Sequence, residues 1–373
     1  MYVPPIFIMK YLFVLGRDPE LSVAEIEAVL ETRKIPFKIL ETTQTILLLE
    51  TQKKLPSLIN ILGGTIKIAE VLTSETRVDR IEYELQRKEF YLGTSNKITY
   101  SFDEFNSDLS SFFNDYLKDY FKQIKLKAQF RSDPTPSQLA ISKDHLDFVI
   151  FKSHIAKTIE VSNPKELKTR DLARPAVDYM KSTSLRLSKI LINLSRIKKD
   201  QTLLDPFCGT GSILQEALLL GANVVGMDQD KESMEHVEKN LTWLNKKYKV
   251  GVFHLINADA AHLTKHIKQL IDAVVTEPYM GPYIRNYPTM MQGRTLIQEL
   301  TDLYADVLDQ CQRILLKDKY VVIIIPRIKT KEGTTLFIAF DRIAEKHFTI
   351  EQKFFYAYPE SKILREIYVL KRN

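Results

Sequence analysis

Leu203-Leu-Asp-Pro-Phe-Cys-Gly-Thr-Gly-Ser212, followed at once by the apolar stretch 213–220, reads as a strand, a glycine-rich turn and a helix N-terminus. The glycines permit a tight turn and close backbone approach by a ligand, while free N–H groups at a helix start favour negative charge. A nucleotide P-loop would place Lys and Ser or Thr behind its last glycine, where Ser212-Ile213 stands instead. A dinucleotide fingerprint would want a third small residue where Leu214 lies, and Asp205-Pro206-Phe207 is foreign to that turn. Outward from this segment, strand-like runs at 202–204, 223–227, 252–257, 273–276 and 320–325 alternate with helical stretches. That alternation predicts an α/β fold with a parallel, doubly wound sheet. Two last runs, 348–358 and 363–371, lie close enough to pair as an antiparallel hairpin closing it.

The ends of those strands carry the chemistry. Gly226-Met-Asp228 ends the second, 17 residues after Gly211, where an acid accepts hydrogen bonds from both hydroxyls of a ribose. Asn257-Ala-Asp259 ends the third and sets Asp259 to meet an adenine amine. The fourth ends Val274-Val-Thr-Glu-Pro-Tyr-Met-Gly-Pro282. An exocyclic amine on a base is a poor nucleophile because its lone pair is conjugated into the ring. A carboxylate and a nearby backbone carbonyl can accept both amine hydrogens and localise that pair, while an aromatic stacks on the extruded base. Glu277, the Pro278 carbonyl and Tyr279 supply those parts in order. The bland readings are an ordinary glycine turn and a proline-rich turn with a solvated Glu277.

The first 130 residues or so mix strands and helices without a repeat. Strands are expected at 11–15, 46–49, 98–102, 125–130, 139–142 and 148–151, with Ser22 capping a helix through 25–30 and another helix running through Leu117 and Phe121 to Ile124. Polar, aperiodic residues after 165 read as a linker. The 373 residues are 45% hydrophobic and 27% charged, proportions of a globular chain of two or three domains. A formal charge of +6 permits a polyanion partner. Between Tyr179 and Lys199 there are six basic residues and no acid, Lys181, Arg186 and Lys189 among them. Lys118, Lys122, Lys125, Lys127 and Arg131 form a second cluster, and Arg327, Lys329 and Lys331 a third; solvated helix faces produce such clusters too. Only Cys208 and Cys311 are present, too few for a disulfide framework, so a reducing compartment is expected. His262 and His266 stand four apart without an evident third ligand, so no metal site is expected. No apolar run approaches the ~18–20 residues of a bilayer crossing, and the N-terminus lacks the basic region and cleavage site of a leader, so no membrane is expected and a cytoplasmic location is.

The run Asp205 to Ser212 resembles the cofactor loop of S-adenosylmethionine-dependent methyltransferases. With Arg170-Asp171, Arg174-Pro175, the stretch Ser184 to Ser195 and Glu277-Pro-Tyr, the chain resembles the THUMP-linked guanine-N2 tRNA methyltransferases and related RNA methylases. Leu15-Gly-Arg-Asp-Pro-Glu-Leu-Ser-Val-Ala-Glu25 and Leu62-Gly-Gly-Thr-Ile-Lys67 extend the resemblance to the N-terminal third. It implies a ferredoxin-like region (1–95), a THUMP-like RNA-binding domain (96–164), a linker (165–182) and a Rossmann-like class I methyltransferase domain (183–373). It implies S-adenosyl-L-methionine on Asp205, Phe207, Gly209, Gly211, Asp228 and Asp259, with Glu277, Pro278 and Tyr279 at the catalytic tetrapeptide. Lys181, Arg186, Lys189, Arg327 and Lys329 are the candidate RNA contacts. The expected reaction is methylation of an exocyclic base amine, N2 of a tRNA guanosine, with guanosine 10 the family's best-known target. The resemblance also leaves room for a small activator subunit. The tetrapeptide departs from the family's D-P-P-Y or N-P-P-Y: either Glu277 replaces the acid, or Thr276 takes the first position. A silent RNA-binding scaffold and a DNA amino-methyltransferase are the competing readings.

Overall fold

A computed structural model describes residues 8–141, 144–178, 182–282, 286–356 and 363–373. It divides into two compact units, one of 1–23 with 33–170, the other of 24–32 with 171–373. The linker expected over 165–182 therefore contains the division, yet it also holds a nine-residue helix.

The first unit is built from β1 (Met9–Leu15), α1 (Pro19–Thr32, whose last residues belong to the second unit), β2 (Phe37–Thr42), β3 (Ile46–Thr51), β4 (Thr65–Thr73), α2 (Val78–Leu85), β5 (Lys97–Phe105), α3 (Ser110–Gln123), β6 (Lys127–Phe130), α4 (Pro136–Ile141), β7 (His145–Phe151) and β8 (His154–Val161), with α5 (Pro164–Leu172) leading across the division. Its eight strands form one sheet in the order β2-β3-β1-β4-β8-β7-β5-β6. The antiparallel pairing of β4 with β8 runs hydrogen bonds across the boundary expected at 95/96, so regions 1–95 and 96–164 share a sheet. Ser22 lies inside α1 and not at its cap: its hydroxyl donates to the carbonyls of Asp18 and Gly64, both at 2.8 Å. Residues 136–141 are helical where 139–142 was expected as a strand, and Ser142 lies outside the described residues. An apolar run as short as Leu139-Ala140-Ile141 has no period that could separate the two.

In the second unit, α6 (Leu185–Leu194), β9 (Thr202–Asp205), α7 (Ser212–Leu219), β10 (Asn223–Asp228), α8 (Lys231–Tyr248), β11 (Phe253–Asn257), α9 (Leu263–His266), β12 (Ile271–Thr276), α10 (Met290–Ile314), β13 (Leu315–Lys329), β14 (Thr335–Phe337), α11 (Phe340–Ala344), β15 (Phe348–Tyr356) and β16 (Ile363–Arg372) follow in turn. The sheet order is β11-β10-β9-β12-β13-β16-β15, with β14 on β13. Its first five strands are parallel and its last two antiparallel, as the sequence pattern predicts. Val274, Val275 and Val321 to Ile325 are buried because helices cover both faces of a parallel sheet. One cluster joins Val274, Ile323 and Ile325 to Leu300, Tyr304 and Leu308 of α10 and Phe340 of α11. Each such side chain contributes roughly 1.5–3 kcal/mol on burial.

Candidate active site

The chain order of this sheet reverses at β9. β10 and β11 are added on one side and β12 on the other, so β9 and β12 flank the switch point, and ligands of open α/β sheets bind outside the strand ends there. Asp205 ends β9 and Thr276 ends β12. The Thr276 hydroxyl donates to Asp205 Oδ1 at 2.7 Å, and the Phe207 N–H donates to the same oxygen at 3.1 Å. Asp205 is buried, and that burial pushes its carboxyl up to about 7 despite both hydrogen bonds.

The turn that follows is held to the neighbouring strand. Cys208 N–H donates to the Met227 carbonyl at 2.9 Å, and Gly209 N–H to Asp228 Oδ2 at 3.0 Å. Asp228 Oδ1 accepts the Asp230 N–H at 2.9 Å. The carboxylate thus stands fixed beside the glycine turn, with one acceptor site on each oxygen left over. Gly211 caps α7 with φ +86°, and a Cβ there would lie 2.5 Å from Val237 Cγ2, so only glycine fits. Cys208 is buried, which pushes its thiol well above the usual range and makes it packing, not a nucleophile. Asp259, just beyond β11, is half exposed and accepts the Ala261 N–H at 2.9 Å. Among the described residues no group of three His, Cys, Asp or Glu side chains gathers as metal ligands.

Beyond Thr276, Glu277 points its carboxylate at two partners: Thr183 Oγ1 donates to Oε2 at 2.6 Å and Arg365 Nε to Oε1 at 2.8 Å. It is not the solvated side chain of a plain turn. Pro278 is buried, Tyr279 is 51% exposed, and the buried Tyr304 donates its hydroxyl to the Tyr279 carbonyl at 2.7 Å.

Several residues that hold this site carried no role in the sequence reading. Arg174 is buried, donates from Nη1 to Ser212 Oγ at 3.1 Å and pairs with Asp171 at 2.6 Å. Asn240 of α8 donates to the carbonyls of Ala176 and Thr210 at 2.8 and 2.9 Å and accepts the Ala176 N–H at 3.0 Å. A signal for it existed: Asn240 occupies the stripe of Val237, Leu241 and Leu244, where a lone polar residue must find buried partners.

The family model UPF0020 (RMKL-like, methyltransferase domain) matches residues 178–330. A protein named "Probable tRNA (guanine(10)-N2)-dimethyltransferase" from Methanothermococcus thermolithotrophicus is 35% identical over 144 residues, 37% of this chain and 77% of that one. The chain belongs to the tRNA guanine-N2 methyltransferase family. A second family member, the tRNA (guanine(10)-N2)-dimethyltransferase of Methanothermobacter thermautotrophicus, is 29% identical over 47% of this chain, a match that spans 45% of its own length. The fold of TrmN from Thermus thermophilus superposes on 98% of this chain and 100% of its own, with a TM-score of 0.52 at 14% identity. A DNA methylase model, N6_N4_Mtase, matches residues 83–239 and stops short of β12.

The candidate RNA contacts are less tidy. Lys181 lies outside the described residues. Arg186 and Lys189 are half-buried on α6, and Lys329 is half-buried at the end of β13. Arg327 donates to the buried Glu366 at 2.7 Å, with its guanidinium 5.4 Å from the Phe337 ring and 6.0 Å from the Phe355 ring. Its charge is matched within the fold, which the sequence pattern did not show.

Proposed function

We propose that this protein is an S-adenosylmethionine-dependent methyltransferase acting on an exocyclic amine of tRNA, N2 of a guanosine, with guanosine 10 the first position to test. The observation that carries the reading is the switch point itself: the glycine turn after β9, with the Asp228 carboxylate fixed beside it, on one side, and Glu277-Pro278-Tyr279 just beyond β12 on the other. The residues fit the cofactor. Asp228 keeps an acceptor site on each oxygen for two ribose hydroxyls, and Asp259, half exposed just beyond β11, is the acid this reading gives to the adenine amine. When bound, the cofactor supplies an electrophilic methyl group. Glu277 accepts a hydrogen from the target amine and so keeps the nitrogen lone pair available, while the exposed Tyr279 ring stacks on the base.

The first unit is the RNA-holding part in this reading, with 1–95 as the ferredoxin-like and 96–164 as the THUMP-like region. Support comes from a groove of about 480 Å3 lined by Lys97, Lys118, Lys122 and Lys127 over Tyr100 and Phe121. Lys97 and Lys127 are direct partners in the parallel pairing of β5 with β6. Like charges so placed destabilise a sheet, and an RNA phosphate between them relieves the repulsion. The same reading puts the protein in the cytoplasm beside its substrate; among the described residues no helix is long and apolar enough to cross a membrane.

The test is mass spectrometry of nucleosides from tRNA incubated with the protein and labelled S-adenosylmethionine. N2-methylguanosine or its dimethyl form is expected. Methylation of duplex DNA in preference to tRNA would favour the DNA reading, and cofactor binding without methylation of either would favour a silent scaffold.

A further inference from the structure

Glu277 carries its carboxylate on a long, flexible side chain, whose torsions must be ordered before it can meet an amine. The structure orders it from two separate elements. Arg365 Nε donates to one carboxylate oxygen at 2.8 Å and Thr183 Oγ1 to the other at 2.6 Å, leaving the Glu277 side chain 12% exposed. Arg365 sits within β16, opposite Pro326 of β13 and Tyr356 of β15, so strands on both sides fix its Cα. Thr183 precedes Ser184, whose extended conformation and side chain cap α6. One donor on a strand paired on both sides and one beside a helix cap settle both the plane and the reach of the carboxylate. Each oxygen keeps one acceptor site for a substrate hydrogen.

We infer that Arg365 and Thr183 are positioning residues that hold Glu277 in place for the target amine, and that the Glu277–Arg365 pair presents an acceptor of low net charge there. The inference rests on the proposed amine methylation. A pair that served only the fold would need no acceptor left over beside the switch point. It would also leave turnover untouched once the protein was folded. A guanidinium held by a carboxylate is a poor contact for phosphate, so Arg365 is not assigned to RNA.

Turnover of tRNA by Arg365→Met, Arg365→Lys, Thr183→Val, Glu277→Gln and the Arg365→Met/Glu277→Gln double variant tests this. A small misplacement of a reacting group can cost about 10²-fold, so Arg365→Met should lower kcat by about 10²-fold with KM for tRNA and S-adenosylmethionine affinity within about threefold. Arg365→Lys keeps a donor and should recover at least about a third of that loss on a logarithmic scale, and Thr183→Val should lower kcat by about tenfold. The double variant should be no slower than Glu277→Gln, because Arg365 acts through Glu277. Unchanged kcat in folded Arg365→Met, or a raised KM for tRNA at unchanged kcat, overturns the inference. If Arg365→Met does not fold, wild-type kcat in both Arg365→Lys and Thr183→Val overturns it. Wild-type protein that methylates no tRNA refutes the proposed function separately. In that case melting-temperature shifts of the two single variants that simply add in the double variant overturn the clamp itself.

Discussion

Asp228 gives both carboxylate oxygens to backbone N–H groups of the turns around it, at 3.0 and 2.9 Å, so its position is set before any ligand arrives. On the proposed reading, Asp228→Ala loses charge-assisted hydrogen bonds to a ribose and should weaken S-adenosylmethionine binding by roughly ten- to a hundredfold, read by calorimetry. Unchanged affinity would take the residue out of the site. Asp205 is the opposite case, a carboxyl whose burial pushes it up to about 7. Its folded value lies above the unfolded value of about 4, so the folded state binds the proton more tightly. Its stabilisation is therefore full below about pH 4 and is lost as pH rises towards 7, levelling off above. Asp205→Asn should flatten the fall in urea midpoint between about pH 5 and pH 7. A wild-type slope that survives the substitution would show that another group titrates. Ionised Asp205 also suits a cationic ligand, so wild-type affinity for S-adenosylmethionine should rise across the same window and that of Asp205→Asn should not.

Among the elements, α8 does more than cover the sheet. Through Asn240 it ties the segment at Ala176 to the glycine turn at Thr210, with three hydrogen bonds on a fully buried side chain. At about 1 kcal/mol for each bond, Asn240→Ala should lower stability by about 3 kcal/mol in urea unfolding. Asn240→Asp should be at least as damaging, because it turns an oxygen towards two carbonyls that now receive N–H. An Asp variant as stable as wild type would refute the hydrogen-bond account. The antiparallel pair β15 and β16 is likewise more than a closing edge, since β16 delivers Arg365 to the end of β12.

At the scale of the whole molecule, the net charge of +6 is gathered in part into a lysine groove on the first unit. tRNA binding should weaken steeply between about 50 and 200 mM salt, and replacing Lys97, Lys122 and Lys127 by Gln should reduce the slope of log K against log salt by about 2–3. An unchanged slope would place the phosphate contacts elsewhere. Lys118 is left out of the set because it already pairs with Asp115 at 2.9 Å.

The sequence by itself determined the parallel order of the second sheet, its closing hairpin and the run of acids at its strand ends. Alternating strands and helices, a glycine turn and acids after apolar runs are local patterns, and local spacing is enough to read them. Residues 139–141 differ from expectation because so short an apolar run suits helix and strand alike, and Ser22 because a serine at a helix start reads as a cap until its tertiary partner, the Gly64 carbonyl, is in view. The joining of regions 1–95 and 96–164 into one sheet came only from the β4–β8 ladder, a pairing of residues about ninety apart in the chain that no window spans. Arg327 belongs to a basic cluster in the sequence, and its partner Glu366 lies 39 positions away, across the β13–β16 pairing. For Glu277 the sequence named the residue but not its state. The two donors that clamp it lie 94 and 88 positions away in the chain, so only the tertiary fold, which lays β16 beside β13 and brings the start of α6 near the end of β12, joins them at one carboxylate.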